Sequence, residues 1–135
     1  MSKEHSRWKR QPASADYAAA LSFLSLIYPQ SYTIRLVSAL RRGSIIQHAA
    51  KDLLRASGLP LLARDEPHVE ADLKRLRKDK PLSPVLLIQG DMSRGISLVV
   101  ADGYHRICAS WYHDEDAPVS CCIASAQPAP PSKSQ

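Results

Sequence analysis

Apolar positions along the chain recur first at helical spacing and then at strand spacing. Tyr17, Leu21, Leu24 and Tyr28 share one helical face, with Ala20, Phe23 and Ile27 widening it, and Pro29 stops the run. A second helix is expected from about Ser31 to Arg42, with Ile34, Val37 and Leu40 inward and Gly43 as its stop. A third takes Ser44 as N-cap and carries Ile45, Ile46, Ala49, Ala50, Leu53 and Leu54 on one face. It ends at Gly58, before Pro60.

After Gly58 the pattern changes. Leu59 to Ala63 reads as a short strand. Asp65 or Glu66 then caps a helix with Pro67 in its first turn and Val69, Leu73 and Leu76 on its apolar side. Pro84 introduces the continuous apolar strand Val85-Leu86-Leu87-Ile88, Gln89 to Gly95 is turn-like, and Ile96 to Ala101 is a second strand. A helix over 104–113, an acidic turn at 114–118 and a last strand from Val119 to Ile123 complete the order. Three helices followed by β-α-β-β-α-β predict a mixed α/β (α+β) fold with a small mixed sheet and an N-terminal helical extension.

Composition divides the chain further. Residues 1–14 are polar and basic and residues 125–135 are rich in Pro and Ser, so both ends are expected to be disordered. Between them lie a helical extension, 15–57, and a domain at 58–124. The net charge of +5 is concentrated in residues 1–63, where nine Lys/Arg face three Asp/Glu, which makes nucleic acid a candidate partner for that half. Trp8, inside the basic HSRWKR, suits contact with nucleic acid or a partner. A helix-turn-helix in SALRRGSIIQHAAKDLLRASG is the weaker reading of residues 38–58. A helical cap over the sheet, or a homodimer interface, is the stronger one.

Met1 is followed by charge rather than an apolar signal segment, and the longest apolar run, Tyr17 to Tyr28, is about half of the ~20 residues a membrane helix needs. No membrane association is expected. Cys108, Cys121 and Cys122 form no CxxC, and neighbours in a strand point to opposite faces, so free thiols and a cytoplasmic location are expected. His48, His68 and His113 have no partners at metal-ligand spacing, so no metal site is expected. Trp111 and Tyr112 read as packing groups.

The chemistry concentrates in VVADGYHRICASW, where a strand turns through Asp102-Gly103 into a helix opened by Tyr104, His105 and Arg106. Gly103 admits a conformation that a Cβ penalises, the first amides of the helix attract anions, and His105 and Arg106 add donors. Together with KDLLRASGLPLL and PHVEADLKRLRKDKPLSPVLLIQ before it, this segment resembles the ParB/sulfiredoxin superfamily, in its ParB-like N-terminal domain, over residues about 52–123. The resemblance implies that Asp102, Gly103, Tyr104, His105 and Arg106 hold the phosphates of a nucleotide, with Mg²⁺ accompanying a nucleoside triphosphate.

It also bounds the chemistry. The sulfiredoxin branch places a catalytic Cys where this chain has Tyr104, and a phenol cannot replace that thiolate. The partitioning branch uses an Arg pair where this chain has His105-Arg106, and adds a DNA-reading domain. Kinases of the superfamily need a carboxylate base, for which Asp102 and, more weakly, Glu70 are the candidates. With no nucleophile or confirmed base, a regulatory or interaction module that binds a nucleotide or phosphate-bearing ligand is the leading expectation. The alternatives are an NTP-dependent enzyme (phosphoryl transfer or nucleotide hydrolysis) and a DNA-associated protein using its basic N-terminal half.

Overall fold

The computed structural model describes residues 7–125. Five α-helices and a four-stranded mixed sheet form one mixed α/β unit. In chain order these are α1 (Ser14–Leu24), α2 (Gln30–Arg42), β1 (Ile46–Ala49), α3 (Ala50–Ser57), α4 (Pro67–Arg77), β2 (Val85–Ile88), β3 (Val99–Asp102), α5 (Tyr104–His113) and β4 (Pro118–Ala124). The sheet order is β1-β4-β2-β3, with β4 and β2 parallel and both outer pairs antiparallel.

Strand β2 shows why the middle of the sequence is continuously apolar. It pairs on both edges and is covered on both faces, so all four of its residues are buried. Val85 and Leu87 join Val119 and Cys121 under α3, α4 and α5, while Leu86 and Ile88 join Cys122 and Ala124 under α1 and α2. Cys121 and Cys122 thus face opposite layers, and all three cysteines are free and buried. Burial pushes the Cys121 thiol up to about 12, which removes it from nucleophilic chemistry.

Helix ends follow local chemistry. Glu66 caps α4 by accepting the Val69 N–H at 2.8 Å, with Pro67 in the first turn. Gly58 ends α3 in the left-handed region, φ +69°. Thr33 Oγ1 donates to the Leu24 carbonyl at 3.2 Å and ties α2 to the end of α1.

Several expectations change. The third helix does not begin at Ser44. Residues 46–49 are the edge strand β1, in register with β4 through Ile46↔Cys121 and His48↔Val119, and only 50–57 are helical. Pairing with a strand about 70 residues away overrides a local pattern that suits a helix. It also excludes a helix-turn-helix in residues 38–58. The separation of a helical extension (15–57) from a later domain fails for the same reason. β1 belongs to the common sheet, α3 packs on α5 and shares one core cluster with α4, and α1 and α2 cover the sheet's other face.

Leu59 to Ala63 forms no strand. This stretch is held by side chains of α5, with the Tyr104 hydroxyl on Pro60 O and the Tyr112 hydroxyl on Leu62 O at 2.7 Å. The second strand is shorter and later than Ile96 to Ala101, because Ile96 closes a turn onto Asp91 before β3 begins. Leu21 and Ile34 (53% exposed) point outward, and Thr33 and Leu36 take the inward positions of α2 instead. The disordered arm of 1–14 is corrected for its described part. Trp8 is 7% exposed in the core, donates through its indole to Pro118 O at 3.2 Å and bridges to Leu82. An aromatic that wedges a core is not free to stack on a base. Residues 1–6 and 126–135, which carry the rest of the two predicted tails, lie outside the described residues.

Candidate functional site

The DGYHR turn sits where β3 leaves the sheet. A bulge shifts the register of β3 against β2, so that Leu86 opposes Asp102 while Leu87 opposes Val100. Bulges of this kind re-aim side chains at the end of a strand. Gly103 then takes φ +110°. A Cβ there would stand 2.4 Å from Val85 Cγ1, so the glycine is required by the packing of the turn onto β2 as much as by its backbone conformation. Gly103 offers α5 no side-chain cap, which leaves the start of that helix open to an external acceptor.

Arg106 does not face that opening. Its side chain is 13% exposed and turns inward, donating from Nη1 to Ser83 O at 2.6 Å and from Nη2 to Asp102 Oδ2 at 2.6 Å, with Asp16 Oδ1 3.6 Å away. Its guanidinium therefore joins α1, the entry to β2 and the end of β3. Burial and the Asp16 carboxyl together push Asp102 up to about 6, against the opposing pull of Arg106.

Beside the turn lies a groove of about 380 Å³, lined by Asp102, Gly103, Tyr104 and His105 together with Ala19, Phe23, Leu59, Val100 and Ala101. This volume is within the range of small-molecule sites. Four of the five residues expected to hold a ligand thus line the groove, and Arg106 does not. A second hollow of about 250 Å³ lies on the far side of Arg106, between Lys9, Asp16, Asp72, Arg75 and Ser83. Glu70, the weaker candidate base, is exposed on α4 and does not line the groove. Tyr104 is tied to Pro60, and Cys108, one turn further on, is buried with its thiol pushed up by that burial, so neither supplies a nucleophile.

The fold also gathers residues that spacing alone did not connect. Glu66 Oε2, at the start of α4, lies 3.2 Å from His68 Nδ1 and 3.7 Å from His105 Nε2. The two imidazole rings are 4.7 Å apart, centroid to centroid. His68 shows no ligand spacing in the sequence, and only the packing of α4 on α5 brings it to His105. The Val69 N–H, followed by His68 and His105, holds the Glu66 carboxyl below its ordinary range.

No family model, curated protein or solved structure matches the chain. Among the described residues no helix is long and apolar enough to cross a membrane.

Proposed function

We propose that the chain is a ligand-binding module of ParB/sulfiredoxin type that holds a nucleotide, or another small phosphate-bearing ligand, in the groove at the start of α5. The observation that carries this reading is the groove itself, with an uncapped helix start at one end and the apolar side chains of Phe23, Leu59 and Val100 along its wall. Phosphate oxygens accept from the first amides of α5 and from His105, and the apolar wall takes the flat face of a base. Mg²⁺ accompanies the ligand if it is a triphosphate. Arg106 positions the turn in this arrangement and does not touch the ligand. The role is regulatory or interactive, in the cytoplasm.

A second reading, phosphoryl transfer or nucleotide hydrolysis, is favoured by one feature. Asp102 lines the groove with its carboxyl pushed up to about 6, a value suited to a general base near neutral pH.

A thermal-shift screen of nucleotides, with and without Mg²⁺, tests the first reading. Wild type melts higher with the ligand, and Ala19→Trp, which fills the groove from an exposed position on α1, keeps its own melting temperature and loses the rise. Absence of a rise with any nucleotide, or an equal rise in Ala19→Trp, rejects the site. Slow release of inorganic phosphate by wild type, absent in Asp102→Asn although binding persists, selects the enzymatic reading.

A further inference from the structure

We propose that Glu66, His68 and His105 form a binding site for a divalent transition-metal ion of the Zn²⁺ class, with its open coordination position turned toward the groove. These residues come from two elements that the sequence keeps 37 positions apart, and all three potential ligand atoms lie within 4.8 Å of one another. Around a tetrahedral ion with bonds of about 2.0–2.1 Å, donor atoms stand about 3.3 Å apart. The two distances from Glu66 Oε2, 3.2 Å to His68 Nδ1 and 3.7 Å to His105 Nε2, already approach that edge length. The remaining closure falls to rotation of His68, whose side chain is 74% exposed.

The Glu66 carboxylate is divided in a way that suits a ligand. Oε1 accepts the Val69 N–H at 2.8 Å and pins the head group to the start of α4, while Oε2 faces both imidazoles. The hydrogen bond from His68 to Glu66 alone would be a local feature of the cap. It does not account for His105, whose 3.7 Å separation is too long for a hydrogen bond and close to a coordination edge.

Two imidazoles and one carboxylate select the metal class. Mg²⁺ and Ca²⁺ take oxygen ligands, whereas imidazole-bearing sets suit Zn²⁺, Fe²⁺, Ni²⁺ and Cu²⁺, and a four-coordinate site of this kind fits Zn²⁺, for which Co²⁺ is the spectroscopic stand-in. Three protein ligands leave a fourth position open, as in zinc sites that handle a substrate or bind an exogenous ligand. His105 belongs both to this cluster and to the groove wall. An ion here stands at the mouth of the groove beside the first turn of α5, where its open position takes an anionic oxygen of the groove ligand. That last step rests on the function proposed above, and the metal site itself does not.

Titration of the full chain with Co²⁺ and Zn²⁺, followed by visible absorption and calorimetry, tests the site. Wild type is expected to bind one ion per chain, with the intense d–d bands of four-coordinate Co²⁺. His68→Ala, His105→Ala and Glu66→Gln are expected to weaken binding by at least about 100-fold, the upper end of what loss of an outer-shell partner costs. Glu66→Gln keeps an acceptor for Val69, so its loss is not one of folding. No binding by wild type, binding unchanged in the histidine variants, or thiolate charge-transfer bands that place the ion on cysteine would each overturn the metal site. Inorganic phosphate, titrated with and without Zn²⁺, separates the two claims. Phosphate that binds more tightly with Zn²⁺ supports the open position facing the groove. Tight Zn²⁺ binding that leaves phosphate affinity unchanged overturns that orientation while the ligand set stands.

Discussion

Replacing Arg106 with Ala distinguishes a cation that builds the turn from one that serves a ligand. The side chain is 13% exposed and holds Ser83 O and Asp102 Oδ2, each at 2.6 Å, with Asp16 Oδ1 at 3.6 Å. Its removal leaves the Ser83 carbonyl unpaired, at a cost of about 1–3 kcal/mol. Asp102 loses its counter-ion but can take up a proton. Its carboxyl already stands at about 6 and loses the pull of Arg106 that lowers it, so taking up a proton near neutral pH costs no more than roughly 1 kcal/mol. Lost packing of the aliphatic stem adds roughly 1 kcal/mol. The sum is about 3–5 kcal/mol, in the range expected for breaking a buried ion pair.

Urea unfolding measures this directly, and a loss of that size lowers the midpoint by about 2 M. The pH dependence supplies an independent signature. Asp102 is raised from its ordinary 3.8, so its contribution to stability is fully present below about pH 4 and is lost as pH rises through about 6. At pH 5 the carboxyl already carries its proton in the folded protein. Arg106→Ala therefore loses less, relative to wild type, at pH 5 than at pH 7.5. A loss below about 1 kcal/mol, equal at both pH values, would refute the buried role and return Arg106 to the ligand.

Two further substitutions probe the frame of the site. Gly103→Ala combines a φ of +110° with a Cβ 2.4 Å from Val85 Cγ1, and is expected to cost about 2–4 kcal/mol in urea unfolding. Preservation of wild-type stability there would mean that the turn is not packed onto β2. Trp8→Ala empties a core position and removes the hydrogen bond to Pro118 O, so a loss of about 3–5 kcal/mol is expected, with disappearance of the Trp8 emission that shifts to the red on unfolding. An unchanged melting temperature would put Trp8 back in a free arm.

Where local chemistry and tertiary demand agree, the sequence by itself was sufficient. Val85–Ile88 is apolar at every position because β2 is covered on both faces, and Pro84 before it marks where the strand starts. Helix α5 begins and ends where expected, Tyr104 to His113, since Gly103 and the acidic turn after His113 punctuate it. The start of α4 at Pro67, with its cap narrowed to Asp65 or Glu66, the opposite faces of Cys121 and Cys122 and the mixed α/β class were legible for the same reason.

The rest was decided by partners distant in the chain. Ile46–Ala49 carries a pattern that a helix would accept, and becomes a strand because β4 offers it an edge. Leu59 to Ala63 has the composition of a strand but finds hydroxyls of α5 in place of a strand partner. Nothing local in HSRWKR announces that Trp8 is a core residue. At the turn itself, residue types indicated an anion site but not the direction of each side chain. Charge on Arg106 is attractive to a phosphate and equally attractive to Asp102 and Asp16, and the fold brings those carboxylates within reach first. Glu66, His68 and His105 are unremarkable as sequence. Their convergence exists only because α4 and α5 pack with their starts together, which brings three groups able to hold a metal within 4.8 Å of one another.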